Sequence, residues 1–469
     1  MITKLNTFYD ILPWPEKIVD EESSLALTDG LNLVFDPDFA VSAERLEHAA
    51  RMFGIRIGAP GKSVALRLNR EVDGAEAWRM KVTPEAVTLE ASAAPGMAYA
   101  VSALIQMLAV ATTGGTGRFA GLNCGQVEDK PRFGWRGFML DCARHFRSVA
   151  TIKTVLRTMA HYRYNVFHWH LTDNEGWRTP SGLLPELSAA GELEDGSYSA
   201  EEIADVLALA KSLHIKVVPE LDWPGHSRRL IKVSPGMGCS SGATDELCVG
   251  NPAVRERAAA LLEEFMELFP DSTEIHLGGD EADTAHWQQC PECQGAMKRH
   301  GFTDIHELEH DFMMQLVNQV LAVGKTPIVW CDSGTYPRDV ISQLWCSRGR
   351  EATLANGNRV IESSCSCCYL DRRLDEAELQ FTDYQNFSPI EDNYGFEPGA
   401  GCPQNAEQFL GVEACAWGGY LPERRLMAKI LPRLPAVAEV AWGNPRHRIW
   451  SAFQTRAFRQ QEAGCEKIW

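Results

Sequence analysis

No stretch of this 469-residue chain gathers Lys and Arg into a block, and acidic side chains outnumber basic ones, 63 to 45, for a formal net charge of −18. That balance argues against nucleic acid and anionic membrane surfaces as partners. The first ten residues, Met-Ile-Thr-Lys-Leu-Asn-Thr-Phe-Tyr-Asp, lack an apolar h-region. No secretory signal is read there, no segment is read as a membrane span, and the expected location is the cytoplasm, although a secretory signal already clipped would leave the same picture. A Gly-x-Gly-x-x-Gly loop is missing too, which leaves a doubly wound dinucleotide-binding sheet without support. Cysteine, by contrast, is plentiful at fourteen. Without a signal peptide these read as reduced thiols, mostly in the core, rather than a disulfide framework.

An apolar fraction of 45% and a charged fraction of 23% are ordinary for a globular protein, and the length allows one large domain plus a smaller one. Residues 1–128 read as a small α/β accessory domain. In it 63–69 and 77–91 alternate like strands, 96–110 reads as an apolar helix, and Gly114–Arg118 as a loop before the boundary near Asp129-Lys130-Pro131. From 129 to 469 the rhythm changes to β-rich apolar runs alternating with helical patterns. The runs are 136–143, 164–173, 216–222, 274–279, 326–331, 341–346, 359–367 and 409–416. Helical patterns fill 151–162, 200–213, 252–269, 305–323 and 421–441. Eight strands over this length predict a (β/α)8 TIM barrel, somewhat irregular because the connections after the fifth and sixth strands are short.

The fourth run ends as Ser-Thr-Glu-Ile-His-Leu-Gly-Gly-Asp-Glu-Ala at 272–282. Two acids, Asp280 and Glu281, follow two glycines that leave backbone room for a ligand. Neighbours on an extended chain point apart, so the acids should meet different parts of one substrate, as acid/base work on a sugar requires. The competing reading is a cap on the next helix. Polar and aromatic groups crowd the other strand ends, where barrel active sites are built: Asp141-Cys-Ala-Arg144-His145, His168-Trp-His170-Leu-Thr-Asp173, Glu220-Leu-Asp222-Trp-Pro-Gly-His226, Trp330-Cys-Asp332, Trp345, Tyr369-Leu-Asp371 and Trp417-Gly-Gly. Indole faces stack on pyranose rings, and carboxylates and Arg bind hydroxyls, so the joint pattern points to a carbohydrate pocket. Singly, His168 and His170 read as satisfied core histidines. With Asp173 they also offer a weak catalytic metal set. Cys239, Cys248 and the Cys290-Pro-Glu-Cys293 pair are candidates for a structural zinc site, whereas Cys365-Ser-Cys367-Cys368 reads as strand packing.

These runs resemble the family 20 glycoside hydrolases, the β-N-acetylhexosaminidases. The matching pieces are Arg136-Gly-Phe-Met-Leu-Asp-Cys-Ala-Arg-His-Phe, Tyr164-Asn-Val-Phe-His-Trp-His-Leu-Thr-Asp, Pro219-Glu-Leu-Asp-Trp-Pro-Gly-His, His276-Leu-Gly-Gly-Asp-Glu and the closing Leu431–Trp442 segment, in the correct order. Ile11-Leu-Pro-Trp-Pro resembles the accessory domain that precedes the family's barrel. The resemblance implies a retaining, substrate-assisted mechanism without cofactor. Glu281 is then the general acid/base, Asp280 the group that orients the 2-acetamido substituent, and Tyr369 a donor to its oxygen. Trp330, Trp345 and Trp417 wall the pocket, Arg144 and Asp371 recognise the sugar, and Asp173, His170, Asp222 and His226 give polar support. One departure concerns specificity. The family usually places a glutamate two residues after the last tryptophan, and here Gly419 stands there, with Glu423 as a possible replacement. The implied substrate is an oligosaccharide or glycoconjugate with terminal GlcNAc or GalNAc. A modified sugar such as 6-sulfo-GlcNAc, a non-catalytic sugar-binding barrel and a homodimer stay open.

Overall fold

The computed structural model describes residues 7–464 apart from 28–29, 59–60, 114–120, 189–195, 243, 376–377, 379–385 and 420. The expected loop at Gly114–Arg118 falls outside the described residues. The N-terminal unit is a six-stranded mixed sheet of β1 (Lys17–Leu25), β2 (Leu31–Phe35), β3 (Lys62–Leu68), β4 (Trp78–Val82), β5 (Ala86–Ala91) and β6 (Leu122–Asp129), in the order β1-β6-β4-β5-β3-β2. The 77–91 run is a hairpin: Thr83 closes the turn, its N–H donating to the Ala86 carbonyl over 2.8 Å. Period-two burial puts Trp78, Met80, Val82, Val87, Leu89 and Ala91 into the unit's core. The helices Ala40–Met52 and Ala94–Thr113 complete that core.

The helix Ala94–Thr113 runs past the expected 96–110 at both ends. Residues 94–112 are long and apolar enough to cross a membrane, with mean hydropathy 1.5, yet the apolar window is 89% buried within this protein. It is apolar all round because it is covered on nearly every side.

Eight parallel strands then close a barrel: β7 (Trp135–Asp141), β8 (Val166–His170), β9 (Lys216–Glu220), β10 (Glu274–His276), β11 (Thr326–Trp330), β12 (Ile341–Leu344), β13 (Val360–Glu362) and β14 (Phe409–Ala416). Closure pairs β14 with β7, from Gly411 opposite Trp135 to Ala416 opposite Leu140. The irregularity falls where the short connections lie. After β11 there is only a single turn, Cys331–Ser333, and after β12 only the seven-residue helix Arg350–Asn356. The 421–441 pattern splits into Glu423–Ile430 and Leu434–Trp442, because Pro432 cannot donate to a continuing helix. The cysteines 365–368 lie beyond β13, in a turn rather than in the strand.

Alternate residues of each strand fill the barrel in layers. Trp135, Val166, Val218, Ile328, Ile341 and Ile361 seal the N-terminal mouth. Above them runs a polar layer. His168 lies between Glu413 (2.7 Å) and Glu220 (3.0 Å), and Gln343 donates to Glu413 over 2.8 Å. Gly137 makes space for Glu413, since a Cβ there would meet its Oε2 at 2.2 Å. The two units are joined by a buried ion pair, Arg163–Asp129 at 2.7 Å, with the Trp442 indole N–H also donating to Asp129 over 3.0 Å.

Candidate active site

At the C-terminal mouth a cavity of about 440 Å3 is lined by Arg144, Glu175, Asp280, Glu281, Trp345, Tyr369, Arg372, Trp417 and Gly419. The chain leaves β10 through a left-handed turn rather than continuing extended. Gly278 and Gly279 have φ of +66° and +100°, and Glu281 has φ +53°. The glycines are needed for packing, not for ligand room: a Cβ on Gly278 would sit 1.7 Å from Asp222 Oδ1, and one on Gly279 would sit 2.9 Å from Ser333 Cβ. The left-handed turn, not strand pleating, separates the acids. The Asp280 side chain is 10% exposed and Glu281 is 57% exposed. Neither caps the following short helix, where Asp283 accepts the Ala285 N–H instead.

Their environments differ in chemistry as well. Burial raises the Asp280 carboxyl to about 7; the His226 charge opposes the rise, and Asp332, Glu220 and Glu281 add to it. Asp280 Oδ1 is buried and has no hydrogen-bond partner. His226 Nε2 faces both acids, 3.8 Å from Asp280 Oδ2 and 3.7 Å from Glu281 Oε2. Its Nδ1 lies 3.1 Å from Asp173 Oδ1. Burial works against the His226 imidazolium, but Asp222, Asp173 and Asp280 raise its pKa well above the usual histidine range.

Asp173 is the junction beneath the pair. Arg144 Nη2 lies 2.8 Å from it and His170 Nε2 lies 2.9 Å from it, and these cations hold its carboxyl far below the usual range despite burial. His170 Nδ1 bonds Glu220, and Glu220 accepts the Trp330 indole N–H over 2.9 Å. Both nitrogens of His170 are therefore engaged by carboxylates, and His168 lies between Glu413 and the same Glu220. The satisfied-core reading of these histidines fits, and the catalytic-metal reading does not.

Of the expected pocket residues, Arg144, Trp345, Tyr369 and Trp417 line the cavity. Arg144 is anchored by Asp141 (3.2 Å) as well as Asp173, and its guanidinium lies 4.9 Å from the Trp417 ring centre. Burial raises the Tyr369 hydroxyl pKa, so the group stays protonated as a donor. Trp330 is fully buried one layer lower, its ring centre 6.0 Å from that of Trp417. Asp371 also sits below the surface. Its Oδ1 accepts the Trp417 N–H over 3.2 Å, its Oδ2 is unpartnered, and burial raises its pKa to about 6. Asp222 accepts the Gly279 N–H over 3.2 Å. Glu423 is no substitute for the missing glutamate, because it accepts from the Ser148 N–H (2.8 Å) and hydroxyl (2.7 Å) and does not border the cavity.

Several site residues had no assigned role in the sequence reading. Asp332 accepts the Trp345 indole N–H over 2.7 Å and faces the Glu281 backbone N–H at 3.4 Å, tying a wall to the acid. Its place beside Trp330 at a strand end was the available signal. Glu175 and Arg372 line the cavity, with no spacing pattern to mark them.

Residues 133–445 match the catalytic-domain model of glycosyl hydrolase family 20, and residues 9–130 match that family's domain 2. The chain belongs to glycosyl hydrolase family 20. It is 30% identical over 426 residues to a beta-hexosaminidase of Akkermansia muciniphila, covering 84% of this chain and 85% of that one. It is 31% identical over 428 residues to a beta-N-acetylhexosaminidase of Cellulomonas fimi, covering 85% and 80%. Its fold superposes on a family 20 exo beta-N-acetylglucosaminidase of Vibrio harveyi, solved with N-acetylglucosamine, with a TM-score of 0.87, 28% identity and coverage of 100% of this chain and 79% of that one. This family 20 chain is thus a glycoside hydrolase acting on oligosaccharide substrates, in a family whose hexosaminidases are cofactor-independent.

Proposed function

We propose that this glycoside hydrolase is an exo-acting β-N-acetylhexosaminidase that removes terminal non-reducing β-linked GlcNAc or GalNAc with retention. The carrying observation is the split of the acid pair: a buried Asp280 with an unpartnered oxygen beside an exposed Glu281 at the cavity mouth. In the first half-reaction Glu281 gives its proton to the glycosidic oxygen as the C1–O bond breaks. The acetamide oxygen of the substrate forms the new bond to C1, giving an oxazolinium ion. Asp280 accepts the acetamide N–H and offsets the developing positive charge, and the Tyr369 hydroxyl donates to the attacking oxygen. In the second half Glu281 takes a proton from water, which attacks C1 and reopens the acetamide. Two inversions give net retention.

Glu281→Gln is expected to lower kcat/KM on an aryl N-acetylglucosaminide by about 10^2–10^4-fold. A thiazoline analogue of the oxazoline should inhibit competitively, and NMR should show the β-anomer released first. An α-anomer as first product, or near-normal turnover of the variant, would overturn the reading.

A second reading concerns the sugar. Gly419 leaves the position of the family's usual glutamate open, the nearest side-chain atom to a Cβ there being Arg144 Cδ at 3.7 Å. Arg372 borders the same cavity, and its guanidinium Nε is buried without a hydrogen-bond partner among the described residues. A cation in place of an acid suits a 6-sulfated GlcNAc. Arg372→Ala should then lower the preference for a 6-sulfo over an unmodified aryl glycoside by about tenfold; an unchanged ratio removes this reading.

A further inference from the structure

Four cysteines from two loops converge on one point outside the catalytic cavity. Cys239 and Cys248 lie in the segment after β9, and Cys290 and Cys293 lie in the segment after β10. The Sγ–Sγ separations are 3.8 Å for Cys239–Cys293, 3.6 Å for Cys248–Cys290 and 3.8 Å for Cys248–Cys293, and all four sulfurs lie within 4.8 Å of one another. All four residues are buried, Cys290 and Cys293 completely. A disulfide needs its sulfurs about 2.05 Å apart. Four thiolates placed tetrahedrally at about 2.3 Å from one zinc ion lie about 3.8 Å from each other.

The surroundings suit thiolates. Cys290 and Cys293 flank the first turn of the helix Pro291–His300, where backbone N–H groups face outward. The Gly250 N–H bonds the Cys293 sulfur. Gly250 has no room for a side chain, since a Cβ would fall 2.3 Å from Cys293 Cα. On the other loop the Cys248 N–H donates to the Met237 carbonyl over 2.7 Å, folding the chain back between Cys239 and Cys248.

We propose that Cys239, Cys248, Cys290 and Cys293 form a structural four-thiolate zinc centre that fastens the loops after β9 and β10 to each other. With four protein sulfurs the ion has no open position, so its role is mechanical rather than catalytic. The two loops begin with the groups of the acid pair, His226 on one and Asp280 and Glu281 on the other. Other bonds already cross between them: the Trp287 indole N–H donates to the Leu247 carbonyl over 2.7 Å, and the Ser241 hydroxyl donates to the His286 carbonyl over 2.9 Å. The centre therefore holds the contact between His226 and Glu281 from behind, and it stands whatever sugar the pocket takes.

The test is metal analysis of the full chain, purified with a reductant and without chelator or metal-affinity steps, then reconstituted with zinc and desalted. About one zinc per chain is expected. Cys290→Ser should fall below about a tenth of that, while Cys365→Ser keeps the full amount. Should the serine variant fail to fold, the wild type itself decides. A mercurial should release the zinc in step with thiol modification, and cobalt replacement should give the intense thiolate charge-transfer bands of a tetrahedral sulfur site. A reconstituted wild-type protein with below about a tenth of a zinc per chain, or a disulfide among the four cysteines by mass spectrometry, would overturn the assignment.

Discussion

Asp280→Asn separates what the site does for catalysis from what it does to folding. Burial holds the Asp280 carboxyl at about 7 against an ordinary 3.8, despite the opposing attraction of His226. A carboxyl with a raised pKa binds its proton more tightly in the folded state than in the unfolded one. Below about pH 4 both states are protonated and the group has no effect on stability. Between about pH 4 and 7 the unfolded chain releases the proton while the folded chain keeps it, so stability falls as pH rises. Above 7 the loss is complete, and a rise of roughly three pH units corresponds to ~4 kcal/mol. Asparagine has a similar shape and no proton to lose. The variant should unfold like the wild type at pH 4, gain progressively through pH 6, and be more stable by up to ~4 kcal/mol at pH 8, while aryl glycoside hydrolysis falls at every pH. Urea unfolding followed by circular dichroism at pH 4, 6 and 8 measures this directly. A stability difference that does not change with pH, or one that grows toward low pH, would refute the reasoning.

Asp129→Ala leaves Arg163 buried without its carboxylate and should destabilise the protein by ~3–5 kcal/mol with KM unchanged; an unaltered unfolding midpoint would contradict it. Gly278→Ala forces a Cβ against Asp222 at positive φ and should cost more than the ~1 kcal/mol expected for Gly301→Ala, which has φ +71° but nothing within 4 Å, so equal midpoints for the two variants would refute the packing role. Gly419→Glu places an acid near Arg144 in open space and should shift preference toward unmodified GlcNAc, read as the ratio of kcat/KM for the plain and 6-sulfo glycosides. An unchanged ratio would show that this position does not contact the sugar.

The barrel was legible because its strands are buried on both faces and read as short apolar runs that end in charged and aromatic groups. All eight runs contain strands. The accessory sheet was less so: β1 is Lys-Ile-Val-Asp-Glu-Glu-Ser-Ser-Leu, nearly all exposed, and its place comes from backbone pairing with β6, which leaves no hydrophobic period to read. The two acids were legible as a pair, but the reason they diverge was not. A left-handed φ at Glu281 follows from how Gly278 and Gly279 pack on Asp222 and Ser333, contacts between residues far apart in sequence. Glu423 shows the same limit, because nothing local to it announces Ser148 as its partner.

The polar groups from Glu413 through His168, Glu220, His170 and Asp173 to His226 alternate in sign or acid–base character along the barrel axis. Such an alternating row produces a field that dies away within a few neighbours, since each charge largely cancels the next. Apart from the Glu220 charge, which reaches Asp280 directly, the acid pair thus senses the bottom of the barrel as a relay of orientations, one hydrogen-bonded neighbour turning the next. A substitution at Glu413 would reach the cavity as a misaligned His226, not as a missing charge, whereas Arg372 and Gly419 line the cavity without joining that row. Substitutions at those two cavity-lining positions thus leave the alignment of the row below them intact.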